Sequence, residues 1–479
     1  MFRHGHSDDR SQWNHHDGCE MQKPPVLKTQ KKIDQEAPFS GAFFIFAPCN
    51  KTATMTINII TLGCSKNIVD SEVLAARLQK QGHQLLFESA MRSDIVILNT
   101  CSFIGDAREE SVDEILQQLE RKHRGQVKKV YVVGCLAQRS KEELAEALPE
   151  VDGIFTFSEL HKLVETDDFQ LLETSERLLS TPKHYAYLKI SEGCDHQCSY
   201  CAIPLIRDRQ VSKPIPLLVE EARKLADEGV KEVMLIAQDL TYYGIDLTGK
   251  RELAPLMEAL AEVRGIEWIR LHYAYPLNFP FEILDVMNRH PQYCHYLDIP
   301  IQHISDDILT SMRRGGSAAY IHDMVARIRE TVPDIALRTT LISGYPTETR
   351  EQHQELVEFV RKTRFDRLGV FTYSQEEETP AFPLGDPIKA SEKNRRQREI
   401  MRLQEKISQE LNQAKVGKTF KVIIDNEEQD AYVGRTEYDS PDVDNCVLIS
   451  KTKALTIGDF YQVRITDAGP YDLFGEIIS

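Results

Sequence analysis

From Met55 onward the chain repeats one unit: a short apolar run rich in β-branched residues, then an amphipathic stretch of helical period. INIITLG, DIVILNT, KKVYVVG and VDGIFTF read as strands, and DSEVLAARLQKQG, SVDEILQQLERKH and KEELAEAL between them as helices. Strands joined through helices pair in parallel, because a parallel neighbour needs a long crossover connection. The fold class is therefore α/β, with an N-terminal doubly wound parallel sheet over residues 55–168. After a charged connector at about 166–184, the alternation resumes with AYLKIS, EVMLIAQ, WIRLHYA, YLDIPIQ, IALRTTLIS and RLGVFTYS. LLVEEARKLADEG, FEILDVMNRH and EQHQELVEFVRKTR are among the helices between them. Six such units predict a central partial (βα)6 barrel over 180–415, closed by a charged helix from about Ser391 to Lys415. Residues 416–479 change character. FKVIID, AYVGRT, NCVLIS and FYQVRIT are short strands split by Gly, Asp and Pro, as in a small β-barrel.

Residues 1–54 show no periodicity and are rich in His, Asp, Gln, Lys and Pro, which predicts a disordered extension or a start placed upstream of the true one at Met55. Its longest apolar run, AFFIFAP, is far too short to span a bilayer, and no basic region with a cleavage site accompanies it. The expectation is a cytoplasmic protein with no membrane partner. The net charge of −16 argues against binding dominated by nucleic acid and suits a basic protein partner.

Ten cysteines in a long chain without an export signal read as metal ligands where they cluster. EGCDHQCSYCAIP holds Cys194, Cys198 and Cys201 just past the first barrel strand, spaced C-x3-C-x2-C. Iron–sulfur cubanes take four thiolates, and the ferredoxin spacing differs from this one. Three thiolates leave one iron open, as a reactive centre requires. The alternative is a structural zinc knuckle completed by Cys294 or a His. Cys64, Cys101 and Cys135 lie far apart in sequence, yet each follows a predicted strand, IITLG, VILNT and YVVG. Side chains at those strand ends can converge at one crevice of a parallel sheet. Here the alternative is three buried small hydrophobes. Cys294 and Cys446 read as packed thiols; Cys19, Cys49, His15 and His16 fall in the extension.

The C-x3-C-x2-C run after the first strand of a partial barrel resembles the radical S-adenosylmethionine superfamily. Two three-cysteine sites on α/β domains, followed by a small β-barrel, resemble its methylthiotransferase family over about 55–479, with TLGCSKNIVDSE and GCDHQCSYCAIP as the matching stretches. The resemblance implies an auxiliary [4Fe–4S] cluster on Cys64, Cys101 and Cys135. It implies a second [4Fe–4S] cluster on Cys194, Cys198 and Cys201, with S-adenosylmethionine at its open iron. Tyr200 is expected near the adenine, and Gly344 in LISGYPTE close to the nucleoside; the Tyr–Pro–Thr there departs from the family's usual Phe–Pro–Gly. The C-terminal barrel corresponds to a substrate-binding TRAM domain. An electron donor such as flavodoxin or ferredoxin is implied, and no catalytic residue beyond the cluster ligands. Arg207 and Arg209 are placed to meet S-adenosylmethionine or a substrate carboxylate, or to form ion pairs.

The family divides between transfer RNA adenosine and an aspartate of small-subunit ribosomal protein twelve. Residues 416–479 carry six Lys/Arg against twelve Asp/Glu, and Glu437, Asp439, Asp442 and Asp444 share one stretch, TEYDSPDVDN. An acidic barrel suits a basic ribosomal protein better than RNA. CSYCAIPLIR, LHYAYP, IPIQHISDDIL and GRTEYDSPDVDN resemble the ribosomal-protein branch. The expected activity is addition of a methylthio group to the β-carbon of that aspartate, in the free protein or on the ribosome. The alternatives are 2-methylthio transfer to transfer RNA adenosine and a non-catalytic two-cluster electron carrier.

Overall fold

The computed structural model describes residues 54–164 and 171–478. The expectation for the extension, with Cys19, Cys49, His15 and His16, lies outside the described residues but for Thr54, and so does part of the connector.

The first sheet is built from β1 (Thr56–Thr61), β2 (Gln84–Phe87), β3 (Ser93–Thr100), β4 (Val127–Gly134) and β5 (Gly153–Ile154). The helices that follow β1, β3 and β4 are α1 (Ser65–Lys80), α2 (Gly105–His123) and α3 (Cys135–Arg139). All pairings are parallel, in the order β2-β1-β3-β4-β5. β1 and β3 are near-continuous apolar runs because helices cover both faces of the sheet. The strand order reverses between β1 and β3, which makes their C-terminal ends the crevice where a doubly wound sheet binds its ligand. Three local readings change. β2 is an edge strand of only four residues, partly exposed, too short for periodicity to reveal. VDGIFTF contributes a two-residue strand, and α2 begins six residues before SVDEIL.

The central sheet follows the predicted series. β6 (Tyr185–Lys189) leads into a small hairpin of β7 (Ser191–Glu192) and β8 (Val211–Ser212). Then come β9 (Glu232–Ile236), β10 (Trp268–Leu271), β11 (Tyr293–Asp298), β12 (Ala336–Ser343) and β13 (Arg367–Thr372). They lie in sequential order and all in parallel, an open barrel whose edge strands are β6 and β13. β11 starts three residues earlier than YLDIPIQ and stops short of Pro300, which has no N–H to give to the ladder. One large apolar cluster, including Leu188, Leu235, Leu271, Leu297 and Leu341, fills the space between this sheet and its helices.

The helix Ala390–Gln413 connects to a closed five-stranded barrel of β14 (Thr419–Glu427), β15 (Ala431–Thr436), β16 (Val447–Ser450), β17 (Phe460–Ala468) and β18 (Leu473–Ile477). β18, LFGEI, is absent from the sequence reading because glycine breaks its pattern. The acidic stretch after β15 is not a free surface. The Glu437 carbonyl accepts from Arg270 at 2.5 Å, Asp439 accepts from Arg367 Nε at 3.1 Å, and Asp444 accepts from the Tyr296 hydroxyl at 2.7 Å. Ser440 meets His272 at 3.0 Å, and Tyr185 donates to Asp442 at 3.4 Å. Tyr185 and Arg367 open β6 and β13, so the loop closes the N-terminal end of the central barrel. The carboxylates of Asp439 and Asp444 are spent on internal cations and hydroxyls, that of Glu437 accepts from the His295 N–H at 3.3 Å, and Asp442 is exposed. Asp439 and Asp444 therefore drop out of the acidic-surface argument for a basic partner.

Among the described residues, no helix is long and apolar enough to cross a membrane.

Candidate functional site

Two sets of three thiols sit at strand ends, one on each parallel sheet. In the first, Cys64 precedes α1, Cys101 follows β3 and Cys135 opens α3. Their backbone is fixed by glycines. Gly63 has φ +92°, and a methyl there would lie 2.8 Å from the Cys101 sulfur. Gly134 also has φ +92°, and a methyl would meet the Thr100 carbonyl at 2.6 Å. Only glycine lets these turns pass so close. A buried amide network ties the three strand ends together. Asn67 donates to the Leu62 and Thr100 carbonyls at 2.8 and 3.1 Å, and Asn99 donates to the Asn67 carbonyl at 2.9 Å and to Ser71 at 2.9 Å. Burial pushes the Cys101 thiol up to about 12, with Cys64 and Cys135 adding to the rise. Burial also raises Cys135, against the opposing pull of Arg207.

In the second set, Cys194, Cys198 and Cys201 lie on the loop between β7 and the short helix Ile203–Arg207. Burial holds Cys194 and Cys201 at about 12, each raised further by its neighbouring thiols. Arg314 spans this loop. It donates to Cys198 at 3.6 Å and to the Tyr200 hydroxyl at 3.1 Å, and its guanidinium lies 4.5 Å from the Tyr275 ring centroid. His196 stacks on Tyr275 at 3.7 Å and meets Asp239 at 2.7 Å. Tyr200 packs against Ile308, Met312, Ile342, Tyr345, Tyr373 and Ala381. Gly344 ends β12 with φ +77°, and its missing Cβ makes room for the stem of Lys393; its N–H donates to Glu348.

The two sets face a common boundary. Arg207 is buried there rather than exposed, and it is an ion-pair residue. It reaches Asp70 of α1 at 2.7 Å and Glu192 of β7 at 2.9 Å, and donates to Asn67 at 2.5 Å and to the Cys135 sulfur at 3.4 Å. Lys189 completes the group, bonded to Asp70 and to Glu192, the latter at 2.7 Å. Arg209 is exposed and takes no part. A second bridge joins Arg108 and Arg139 to Glu376, past β13, at 2.6 and 2.8 Å. Sequence reading missed Asn67, Asp70, Glu192 and Arg314. The signal for the first two was present: α1 carries polar residues on every side of its first two turns, which a helix packed on a sheet alone would not bury.

Both sets could hold a soft metal group. All six donors are thiols, and burial raises Cys101, Cys135, Cys194 and Cys201, so those four bind as thiolates only where a metal supplies positive charge. Among the described residues no three His, Cys, Asp or Glu side chains surround one point as single-ion ligands would. Cys294 is buried within β11 and Cys446 bonds Asp472 at 3.1 Å, so neither completes a site. A groove of about 570 Å³ lies elsewhere, lined by Arg361, Arg395, Arg398, Arg402, Lys406 and neighbours on the outer helices.

Three family models match: Uncharacterized protein family UPF0004 over residues 56–156, the Radical SAM superfamily over 188–360 and the TRAM domain over 416–478. Proteins named ribosomal protein uS12 methylthiotransferase RimO are similar over most of their length. The one from Christiangramia forsetii is 53% identical, covering 88% of this chain and 94% of its own. That from Flavobacterium johnsoniae is 52% identical, covering 88% and 97%. That from Bacteroides thetaiotaomicron is 50% identical, covering 88% and 98%. Among solved structures, the radical S-adenosylmethionine methyltransferase TsrM from Kitasatospora setae, with tryptophan and an S-adenosylmethionine analogue, superposes with a TM-score of 0.52 at 15% identity, over 68% of this chain and 75% of that one. That likeness is one of fold. The superfamily match implies a [4Fe–4S] cluster and S-adenosylmethionine as cofactors.

Proposed function

The chain belongs to the RimO family of ribosomal protein uS12 methylthiotransferases, a radical S-adenosylmethionine enzyme family, and from that premise we propose the following assignment of its residues. Cys194, Cys198 and Cys201 hold the cluster that binds S-adenosylmethionine. Cys64, Cys101 and Cys135 hold a second, auxiliary [4Fe–4S] cluster. The substrate is an aspartate of uS12, modified at its β-carbon. The observation that carries this reading is the meeting of the two three-thiol sets at one boundary, with Arg207 hydrogen-bonded to Cys135 from the helix that follows Cys201.

Bound there, these groups supply hydrogen abstraction by a carbon radical drawn from S-adenosylmethionine and a methylthio group for transfer. The protein's own part is positioning and exclusion of water. Arg314 fixes Cys198 and Tyr200 in one grip, so Tyr200 supports the nucleoside from a rigid wall. Gly344 serves that wall indirectly, since Lys393 occupies the space against it. The Asp70–Arg207–Glu192–Lys189 group and the Arg108–Glu376–Arg139 bridge hold the two sheets together on separate sides of the boundary. For an electron donor of the flavodoxin or ferredoxin kind, the support is the resemblance alone. Modification on the ribosome is supported by the groove on the outer helices. It gathers five cations around Glu399, and with Arg361 and Arg395 paired to Glu358, Glu392 and Glu399 it leaves Arg398, Arg402 and Lys406 for RNA phosphate in a chain of net charge −16.

Gene deletion followed by mass measurement of the ribosomal proteins tests the reading. Protein uS12 should lose about 46 Da, hydrogen replacing a methylthio group. An unchanged uS12 with altered transfer RNA nucleosides would favour the transfer RNA alternative. Sedimentation with small subunits at rising salt tests the docking surface: binding should weaken with salt, and binding indifferent to salt removes that contact.

A further inference from the structure

Lys66 is the second residue of α1, two places after Cys64, and only 7% of its surface is exposed. Burying an ammonium is costly unless it is paired. The other buried cations at this boundary are satisfied: Arg207 and Lys189 by Asp70 and Glu192, Arg139 by Glu376, Arg177 by Glu221. Arg314 spends its guanidinium on a thiol, a hydroxyl and a carbonyl. Among the described residues, Lys66 has neither a hydrogen bond nor an ion pair. Its ammonium lies over the face of Tyr273, with Nζ 3.3 Å from the ring centroid.

The direction of the side chain matters as much as its lack of a partner. Lys66 starts on the sheet that carries Cys64, Cys101 and Cys135. Tyr273 lies just past the C-terminal end of β10 on the central barrel. The ammonium therefore crosses from one thiol-bearing sheet to the end of the other where Cys194, Cys198 and Cys201 sit. Tyr273 is held at φ +66°, a strained value for an aromatic residue and one that tends to persist at functional sites. The Lys66 ammonium exerts a small downward pull on the Asp298 carboxyl at the end of β11, weaker than that of Arg338. Asp298 accepts from Arg338 at 3.1 Å through Oδ1, its Oδ2 is buried without a hydrogen-bond partner, and burial raises its carboxyl above the ordinary value; no ion pair joins it to Lys66. Beside Lys66, the Ser65 hydroxyl is buried with no partner, a second donor at the same helix start.

We propose that Lys66 is the specificity residue for the substrate side chain, its ammonium binding the carboxylate of the target aspartate between the two sets of thiols. The inference rests on the proposed function, because it needs an aspartate as substrate. A carboxylate fixed there presents the adjacent β-carbon to the shared crevice. A neutral asparagine or a nucleobase offers no charge to pair with the ammonium.

The test uses anaerobically reconstituted full-length enzyme with S-adenosylmethionine. The probes are uS12 purified from the deletion strain and the same protein with its target aspartate replaced by asparagine. Wild-type enzyme should bind the aspartate form about tenfold or more tightly, as expected for a hydrogen bond between charged groups. Lys66→Met and Lys66→Gln should bind both forms alike, while Lys66→Arg keeps part of the preference. Iron content, and S-adenosylmethionine cleavage without uS12, check that the variants are intact. Equal binding of both forms by wild type overturns the proposal without any variant. So does a Lys66→Met enzyme that keeps the preference, or one that weakens both forms equally, which would make Lys66 a packing residue on Tyr273. If uS12 mass is unchanged in the deletion strain, the proposed function itself fails; if the mass changes and the preference is absent, only the role of Lys66 fails.

Discussion

Arg207 carries two carboxylates, an amide and a thiol at once, and it is buried where the two sheets meet. Arg207→Ala strands Asp70 and Glu192 with Lys189 as their one remaining cation. Breaking a buried pair in this way costs ~3–5 kcal/mol, because it leaves an uncompensated charge. Equilibrium unfolding of the iron-free chain should show that loss, and Arg207→Lys should recover only part of it, since an ammonium cannot fork to four acceptors. The pH dependence gives an independent reading. Burial pushes the Glu192 carboxyl up, but Arg207 and Lys189 more than reverse this and hold it at about 2, below its ordinary 4.5. A depressed carboxylate stabilises the fold fully above its unfolded pKa and loses that contribution as pH falls toward the folded value. The wild-type midpoint should thus drop between about pH 4.5 and 2 from this group, and the Arg207→Ala midpoint should begin to drop at higher pH. From sequence, Arg207 reads equally as a ligand contact or an ion pair. Its partners Asp70 and Glu192 are 137 and 15 residues away, and no local pattern joins them.

The thiols at strand ends depend on how the strands stop. Gly134 ends β4 at φ +92°, ψ −161°, a region that is essentially glycine's alone. An alanine there costs ~1–3 kcal/mol in backbone strain, before its methyl meets the Thr100 carbonyl and N–H at 2.6 and 2.7 Å. The next residue is Cys135, so the strain displaces a proposed cluster ligand. Gly134→Ala should reduce iron from about eight to about four per reconstituted chain, with the S-adenosylmethionine cluster retained. Gly125 is the control. It also has a positive φ, +68°, but its Cβ position is open, so Gly125→Ala should cost about 1–2 kcal/mol and leave iron content unchanged. Retention of all iron by Gly134→Ala would detach Cys135 from the auxiliary site. Elements of this kind are legible wherever periodicity runs long enough. β3, β4 and the six barrel strands are apolar runs bounded by clear breaks, and the same pattern puts Cys64, Cys101 and Cys135 at three strand ends. β2 and β18 are not legible. One is four residues, one exposed and three half-buried, and the other has glycine at its centre, so their assignment depends on neighbours supplied by distant sequence.

At the scale of the molecule, charge counted along the chain says little about charge available to a partner. Six basic against twelve acidic residues describe residues 416–479, and TEYDSPDVDN looks like a solvated loop. Folded, Asp439 is 1% exposed and pairs with Arg367 through the bottom of the central barrel. Glu232, the first residue of β9, is held by Arg270 within the barrel and by Arg435 from β15. The two readings predict opposite results for one substitution. If the loop is a plug, Asp439→Asn removes the counter-charge of a buried guanidinium. The unfolding midpoint should fall, with a cost of ~3 kcal/mol or more, while affinity for uS12 measured below that midpoint stays as in wild type. If the loop is a recognition surface for a basic protein, stability should hold and affinity should drop, steeply with salt. Removal of residues 416–479 extends the same logic. It leaves Arg270, Arg338 and Arg367 facing an emptied barrel end, so the truncated chain should lose S-adenosylmethionine cleavage along with uS12 binding, although every thiol of both sets is still present. A truncated chain that unfolds at the wild-type midpoint and still cleaves S-adenosylmethionine would show that the C-terminal barrel is a separable binding module and not part of the barrel's closure.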